Sequence, residues 1–404
     1  MKRVLLGIIT ICFLVCCTKE ERVEAVGEIG VNDTIYADVN LRFNLTEVQT
    51  KMRGVNENLL SDFNLYIFNG SGAIVDCIYK KGSAEFSLRV GKNQKYDLYV
   101  VANAGKKILV RSVAQLLSLE YTSPATDGIS LSDGGIVMVG KSLGLTIEDG
   151  VEIPVELKRR VAQIVVMADT SELFKGVDLT FESVSLKCAS KKVKLFDTSK
   201  VTSTANVFSY SLNAADLFSP EGARGYVYEN MQGDLTPSNT EQIGKILTEE
   251  NACYGMCTYL EFKCGYRSER YTGTIYYRFY LGKDDLKNFD IEGNTRQIIK
   301  VYFKGNGSVR ENTWRVVTTE LTDNAAISFR YGKEYVYVGA NLLMEWAIFI
   351  SDDEMPIVVS SNENVAVVRN ISREGVGVRG VSVGKCIITA TLGSQSASCE
   401  LISI

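Results

Sequence analysis

The stretch FNLYIFNGSGAI, residues 63–74, decides the fold of this chain. Apolar and aromatic residues flank the polar turn Asn69-Gly70-Ser71-Gly72. A tight hairpin turn needs positive φ angles, which Asn and Gly adopt at little cost. The stretch therefore predicts a β-hairpin whose turn fixes the register of its two strands.

Runs of the same kind recur along the chain, rich in β-branched and aromatic residues and bounded by Gly, Asn, Asp and Ser. Such runs predict strands, here at Tyr36–Leu45 and at residues 64–68, 84–90, 96–102, 151–157, 162–167, 180–187, 274–281, 297–303 and 314–319. Helical patterns are scarce, and we expect short helices only at residues 112–119 and 240–249. Strands without alternating helices favour antiparallel sandwiches, so we expect an all-β chain.

The composition agrees with β structure and argues against several classes of function. The 404 residues include 34 Gly, 20 Tyr and 16 Phe but only 5 Pro, a mixture rich in strand and turn formers. The formal net charge is −4, from 44 basic and 48 acidic residues, so no nucleic-acid partner is expected. The chain contains no His, which removes the commonest general base and the usual imidazole metal ligands. We therefore expect no enzyme and no cofactor.

The N-terminal segment MKRVLLGIITICFLVCC, residues 1–17, has the pattern of an export signal. Lys2 and Arg3 precede an apolar run that is too short to span a bilayer stably. The end of this run, LVCC, resembles a lipobox, in which a cysteine becomes lipidated. We assign lipidation to Cys17, with Cys16 as the second choice because a small residue usually precedes the modified cysteine. The alternative is an ordinary secretory signal with two incidental cysteines.

Seven cysteines remain in the part expected to fold: Cys77, Cys188, Cys253, Cys257, Cys264, Cys386 and Cys399. An odd number does not form a complete disulfide framework. The spacing of Cys253, Cys257 and Cys264 is not that of a zinc ribbon, so buried thiols or a single disulfide are expected instead of a metal site. Whether Cys386 and Cys399 pair depends on geometry.

Two breakpoints divide the expected strands into domains. One follows Leu157, where a strand meets the basic residues 158–160, and the other lies at residues 322–325. We expect a signal peptide at 1–17 and a leader with the first strand at 18–53. Two sandwiches would follow at 54–157 and 158–322, and a smaller sandwich at 323–404.

Four motifs of the first expected sandwich carry a family resemblance. They are RGVNEN (53–58), FNLYIFNGSG (63–72), YDLYVVANAG (96–105) and PVELKRRVAQI (154–164). Their order and spacing resemble those of the FimA-like fimbrillins, the type V pilins of Bacteroidales. The resemblance implies two tandem transthyretin-like antiparallel β-sandwiches.

The rest of the chain resembles two further families. The motifs YVYENMQG (226–233), YLG (280–282) and FDIEGNTR (289–296) resemble a fimbrillin-related family of gut Bacteroides surface proteins. The motifs VVSSNENVAVV (358–368) and GKCIITAT (384–391) resemble a bacterial Ig-like module. The latter implies a small Ig-like sandwich at the C-terminal end of this sequence.

The fimbrillin resemblance implies assembly by donor-strand exchange at the outer membrane. In that scheme an arginine-specific protease cuts between Arg53 and Gly54, the strand Tyr36–Leu45 leaves, and a strand of another fimbrial subunit replaces it by β-strand addition. Lipoprotein-processing enzymes would act earlier, and the lipid anchor would hold the surface-exposed precursor. The alternative is that Arg53 is a solvated loop residue and the subunit keeps its own first strand.

The Ig-like tail favours an accessory or tip subunit that serves adhesion to surface glycans or proteins. A monomeric outer-membrane lipoprotein that binds glycans is the alternative. The acidic runs 284–285 and 352–354 lack the pattern of a calcium loop, and Asp33-Thr34-Ile35 resembles an O-glycosylation acceptor at Thr34. Tyrosines of the second sandwich are expected mainly to pack, with stacking on sugars as the alternative: Tyr254, Tyr259, Tyr266, Tyr271, Tyr276 and Tyr277.

Overall fold

The computed structural model describes residues 36–45, 59–82, 84–124, 129, 135–308, 310, 312–321, 325–351 and 353–404. Within these residues the chain forms strands almost throughout, with one short α-helix and three 3₁₀ turns. The prediction of an all-β chain is confirmed.

The first sheet has seven strands in the order β3-β2-β5-β7-β8-β1-β4. Its strands are β1 (Tyr36–Leu45), β2 (Asp62–Asn69), β3 (Ile74–Lys81), β4 (Glu85–Gly91), β5 (Lys95–Ala102), β7 (Met138–Thr146) and β8 (Glu152–Arg159). Strands β2 and β4 lie far apart in this order, yet the rings of Phe63 and Phe86 are 5.9 Å apart. The sheet therefore folds over itself into a sandwich with one apolar core.

The β2–β3 hairpin forms as its sequence predicts. The side-chain oxygen of Asn69 accepts hydrogen bonds from the backbone N–H groups of Ser71 (3.1 Å) and Ala73 (3.0 Å). Gly72 has a φ of 79°, a conformation that glycine adopts without strain. The turn is thus closed by its own polar side chain, and β2 pairs with β3 from Asp62 onwards.

The helix α1 (Val113–Leu117) lies between β5 and β7 and is followed by β6 (Glu120–Thr122). The hydroxyl of Ser112 accepts a hydrogen bond from the backbone N–H of Gln115 at 3.2 Å and caps the helix. This helix confirms the prediction at residues 112–119. Strand β6 pairs with β11 (Lys192–Lys194), which belongs to the next part of the chain.

Two four-stranded sheets form the second sandwich, with the orders β12-β10-β14-β15 and β13-β9-β16-β17. Their strands are β9 (Val161–Leu173), β10 (Asp178–Ser190), β12 (Val207–Leu212), β13 (Ala223–Tyr228), β14 (Tyr259–Arg267), β15 (Thr272–Tyr280), β16 (Thr295–Gly305) and β17 (Thr313–Glu320). The ring of Phe303 lies at the centre of the core. It contacts the rings of Phe181, Phe262, Tyr277 and Phe279 at centroid distances of 5.0–6.4 Å.

Residues 240–249 do not form the α-helix that their pattern predicts. Only the 3₁₀ turn Gln242–Gly244 occurs there; the other 3₁₀ turns are Thr204–Asn206 and Ala214–Phe218. The Gln242 side chain donates to the carbonyl of Trp314 at 2.6 Å, and Asn239 donates to the carbonyl of Leu286 at 2.6 Å. These tertiary hydrogen bonds hold the segment against β17 and the loop at 281–290, and they replace a local helix.

The third sandwich also has two four-stranded sheets, β18-β20-β23-β22 and β19-β25-β24-β21. Its strands are β18 (Ala326–Phe329), β19 (Lys333–Val336), β20 (Asn341–Ile350), β21 (Ile357–Ser360), β22 (Ala366–Ile371), β23 (Gly375–Gly380), β24 (Gly384–Leu392) and β25 (Gln395–Ser403). Trp346 packs in its core against Phe329 at a centroid distance of 4.8 Å.

The third sandwich packs on the outer face of the β13-β9-β16-β17 sheet. Ala347 and Ile348 of β20 join Val165, Ile298 and Val317 in one buried cluster. Beside it, Arg330 bonds to both Glu172 and Glu345. This sheet is consequently covered on both faces.

Strand pairing is antiparallel throughout the described strands except at three places. Strand β1 pairs in parallel with β8, β9 with β16, and β19 with β25. Each exception joins strands far apart in sequence, as parallel pairing requires a long connection.

Candidate functional site

Strand β1 shows the clearest division between a buried and an exposed face. Its buried side chains are at most 3% exposed and belong to the core of the first sandwich: Ala37, Val39, Leu41 and Phe43. The side chains between them, which are polar or charged, face solvent: Asp38, Asn40, Arg42 and Asn44. The strand thus contributes one apolar side chain to the core at every second residue.

The backbone of β1 is hydrogen-bonded on both edges. It pairs antiparallel with β4 from Tyr36 opposite Gly91 to Arg42 opposite Glu85, and parallel with β8 from Asn40 opposite Glu152 to Leu45 opposite Leu157. At its ends, the Phe43 N–H donates to the carbonyl of Ala84 at 2.8 Å, and the Gly150 N–H donates to the carbonyl of Asp38 at 2.9 Å. Without β1, β4 and β8 would therefore border an open groove.

Phe43 is the largest side chain that β1 places in this groove. Its ring packs edge-on against Phe63 of β2 at a centroid distance of 4.8 Å. Full burial of a side chain such as Val39, Leu41 or Phe43 contributes about 1.5–3 kcal/mol each. The apolar face of β1 therefore supplies several kcal/mol to the first sandwich.

The exposed face of β1 makes weaker contacts. The carboxylate of Glu152 lies 3.5 Å from the guanidinium of Arg42, and both side chains are more than half exposed. The Ser87 hydroxyl donates to the side-chain oxygen of Asn40 at 2.6 Å. Exposed ion pairs contribute little to stability, so the buried face dominates the retention of the strand.

Asp149 fixes the start of β1 to the neighbouring loop. Its carboxylate accepts from Lys92 at 2.9 Å and from the backbone N–H of Asp38 at 3.1 Å. The lysine bond, followed by the backbone bond, lowers the pKa of this exposed carboxyl below its ordinary value. The contact remains charged at neutral pH.

The sequence-predicted site residues Cys16, Cys17, Thr34, Arg53 and Gly54 lie outside the described residues. Strand β1 ends at Leu45, and the described chain resumes at residue 59. There, the side chain of Asn103 donates to the carbonyl of Leu59 at 2.7 Å and accepts from the N–H of Ser61 at 2.8 Å. In the sequence, the expected cleavage site thus lies between strand β1 and the firmly bonded entry to β2.

The seven cysteines of the described part are all free thiols. Cys264 lies in the core of the second sandwich, whereas Cys253 and Cys257 lie in a separate apolar cluster. Burial raises the pKa of both Cys257 and Cys264 to about 12. Cys386 is opposite Leu401 and Cys399 is opposite Ile388, so the two do not face each other directly. No group of three His, Cys, Asp or Glu within the described ranges is arranged to hold a metal ion.

The paired acids of the second sandwich have structural partners. The carboxylate of Asp285 lies 3.3 Å from the guanidinium of Arg315. Burial alone would raise the pKa of Asp284, but backbone N–H bonds from Asn288, Lys287 and Leu286 outweigh it and lower the pKa. Both acids therefore stabilise loop structure.

The predicted tyrosines divide into packing and exposed groups. Tyr277 is fully buried, and its hydroxyl donates to the carbonyl of Gly307 at 2.7 Å. Tyr259 packs against Tyr280. Tyr254, Tyr271 and Tyr276 are 40–59% exposed. The sequence analysis did not single out Phe174, which is 63% exposed; its place in a Phe-Lys-Gly turn between two strands was the available signal.

Among the described residues, no helix is both long and apolar enough to cross a membrane. Residues 225–301 match a family model described as a domain of unknown function, DUF4906. No curated protein is significantly similar to the chain in sequence.

Several solved structures from Bacteroidales are similar to the chain. A candidate cell adhesion protein of Bacteroides eggerthii is 15% identical with a TM-score of 0.49, over 70% of this chain and 95% of that one. The tip fimbrial protein Mfa3 of Porphyromonas gingivalis, truncated at its C-terminus, is 13% identical with a TM-score of 0.47, over 70% and 98%. The fimbrilin FimA of P. gingivalis is 16% identical with a TM-score of 0.46, over 70% and 96% of the two chains.

Proposed function

We propose that this chain is a fimbrial subunit of the bacterial cell surface, assembled when a neighbouring subunit's strand replaces β1. The observation that carries the proposal is the position of β1, hydrogen-bonded between β4 and β8 with four alternate side chains in the core. The family resemblance of the sequence motifs agrees with it. The role is structural and adhesive, and no catalytic chemistry is assigned.

The groove left by β1 would select its replacement. Main-chain hydrogen bonds to β4 and β8 accept any extended strand, while the core accepts an apolar side chain only at every second position. An incoming strand therefore needs the alternation of β1, including a large side chain where Phe43 packs against Phe63. A second subunit is the expected partner.

Cleavage after Arg53 would control the exchange. An uncut chain keeps β1 covalently attached, so its local concentration opposes replacement. Cleavage leaves β1 held only by its contacts and separates it, with the leader and the lipid at Cys17 or Cys16, from the rest of the subunit. The uncut chain would remain a lipid-anchored surface protein.

In this proposal, the Ig-like tail is the feature that favours an accessory or tip position for the subunit. The sandwich formed by β18–β25 packs on the second sandwich. We infer that it extends the subunit as a rigid unit.

A reversible disulfide between β1 and β4 tests the exchange directly. Asn40 is opposite Ser87. Hydrogen-bonded and non-hydrogen-bonded pairs alternate, and the Phe43–Ala84 bond places Asn40 and Ser87 in the closely spaced, non-hydrogen-bonded class. The double variant Asn40→Cys/Ser87→Cys should therefore oxidise readily and lock β1 in place.

The variant would be cut with an arginine-specific protease, and the new N-terminus would be sequenced. We expect a product that begins at Gly54 and forms SDS-resistant ladders after reduction, but stays monomeric while the lock is oxidised. The two single-cysteine variants serve as matched controls and should form ladders in both conditions. Ladders of equal intensity with the lock closed, or none after cleavage and reduction, would refute strand exchange.

A further inference from the structure

A cleft lies at the end of the second sandwich, away from β1. The turn from β9 into β10 forms one wall, and the ends of β14 and β15 form the other. Its volume is about 840 Å³, which is within the range of small-molecule sites. It is open and mixed in polarity, so it suits a polar ligand that binds at a surface.

An aromatic side chain stands on each wall. Phe174 lines the first wall and is 63% exposed, and Tyr266 lines the second. Tyr271, 59% exposed, lies beside Tyr266 with ring centroids 5.8 Å apart. Aromatic faces exposed on opposite sides of a polar cleft can pack against the C–H face of a pyranose ring.

Main-chain hydrogen bonds fix the backbone from which the Phe174 ring projects. The Phe174 N–H donates to the carbonyl of Gly305 at 2.7 Å, and the Val177 N–H donates to the carbonyl of Phe174 at 3.0 Å. On the other wall, a Cβ at the lining residue Gly273 would lie 2.4 Å from the Tyr271 hydroxyl, so the Tyr271 ring lies over this glycine at the rim of the cleft. A preorganised backbone reduces the entropy that the site loses on binding.

Hydrogen-bonding groups also line the cleft. The guanidinium of Arg267 donates to the carboxylate of Asp178 at 3.1 and 2.5 Å, and both side chains are more than half exposed. The lining also includes Thr170, Thr180 and Thr272. Exposed donors and acceptors of these kinds can form hydrogen bonds with the hydroxyl groups of a sugar.

We propose that this cleft binds a saccharide, with Phe174 and Tyr271 as the stacking residues and the Asp178–Arg267 pair as the hydrogen-bonding group. The inference names a ligand class for the adhesive role, but it does not depend on strand exchange. It therefore concerns the uncut monomer as well as an assembled subunit.

Saturation-transfer NMR on the uncut chain, with the Asn40–Ser87 lock closed, tests the site separately from assembly. The probes are galactose, N-acetylglucosamine and N-acetylneuraminic acid at millimolar concentration, which separate neutral from acidic sugars. We expect transfer to the ring protons of at least one probe. No transfer to any of the three would overturn the proposal.

Two substitutions assign the binding to the cleft. Phe174→Ala and Tyr271→Ala remove exposed rings, so the fold should be retained, and each should weaken binding about tenfold. Tyr276→Ala is the matched control, because Tyr276 is 52% exposed on β15 but neither lines the cleft nor lies against the lining residues Tyr266 and Gly273 as Tyr271 does. Equal binding by the three variants would show that the cleft is not the site.

Discussion

Strands β1 and β9 hold the same place in their sandwiches but differ in how they are buried. Strand β1 pairs in parallel with β8 and antiparallel with β4, and β9 pairs in parallel with β16 and antiparallel with β13. Only one face of β1 is buried. Both faces of β9 are covered, one by the core of the second sandwich and the other by the third sandwich.

In the proposed exchange, this difference distinguishes the strand that would be replaced, β1, from one that would stay in place, β9. The side chains of β1 alternate between apolar and polar, so its removal opens one core along one groove. The central residues of β9 contribute to two apolar clusters at once: Ile164 and Val166 to the sandwich core, Val165 to the contact with the third sandwich. Loss of β9 would disrupt both.

The largest expected effect is that of a buried charge in each strand. Ile164→Asp places an unpaired carboxylate in the core of the second sandwich and should cost more than about 4 kcal/mol, enough to unfold it. Leu41→Asp should release β1 and destabilise only the first sandwich. Limited proteolysis followed by mass spectrometry distinguishes the two results. Complete unfolding by Leu41→Asp would contradict the comparison.

The buried Lys245 should make the stability of the second sandwich depend on pH. Its ammonium donates to the carbonyl of Asp284 at 2.6 Å, and burial lowers its pKa from 10.5 to about 8. Because the unfolded chain holds this proton more tightly, stability should rise between pH 8 and 10.5, by about 3 kcal/mol in all.

The variant Lys245→Met should remove this rise from the second sandwich and leave the unfolding of the first sandwich unchanged. Denaturant titrations of the parent protein and the variant from pH 7 to 11 measure the unfolding free energy of each. The difference between the two cancels the contribution of the other titrating groups. Parallel pH curves for the parent and the variant would show that Lys245 is not protonated differently on folding.

A substitution of Arg330 tests how the third sandwich is held on the outer face of the β13-β9-β16-β17 sheet. It bonds to Glu172 at the end of β9 and to Glu345 of β20. Arg330→Ala should leave both acids without this partner and weaken the contact by about 1–3 kcal/mol. Hydrogen exchange should rise in β9, β16 and β20 but not in β1. Unchanged exchange in these strands would mean that the apolar cluster alone holds the third sandwich.

The smallest expected effect is on the exposed face of β1. Arg42→Ala removes an exposed ion pair with Glu152 and should change the unfolding free energy by less than about 0.5 kcal/mol. Val39→Ala, on the buried face of the same strand, removes buried methyl groups and should lower the unfolding free energy by clearly more. Chemical denaturation of the two variants compares the faces directly, and an equal cost would contradict the one-sided burial of β1.

The sequence predicts the local part of this architecture well. The alternation of Tyr36–Leu45, the turn at Asn69 and the Ser112 cap each depend on residues close in sequence, and each occurs in the structure. Strand β7, one of several strands not predicted, carries glycines at 140 and 144, which argue against a strand. A Cβ at Gly140 would lie 2.6 Å from the carbonyl of Glu156, so the close approach of β8 requires a glycine at this position. The same glycine makes β7 hard to recognise as a strand from its sequence.

Long-range contacts account for what the sequence could not predict. Nothing in β1 alone indicates parallel pairing with β8, and residues 240–249 lose their helical pattern to bonds with Trp314 and Leu286. The proposed saccharide cleft joins turns that are almost a hundred residues apart in sequence, around Phe174 and Tyr271. The lipidation and cleavage residues remain sequence predictions.

Replacement of β1 by a peptide of the same sequence is a direct test of strand exchange. The chain cut after Arg53 would be incubated with excess fluorescent YADVNLRFNL, residues 36–45, and with a control peptide carrying Asp in place of Leu41. We expect stable incorporation of the first peptide, release of the native strand and little incorporation of the control. Retention of the native strand with no incorporation of the first peptide would show that β1 is not exchanged.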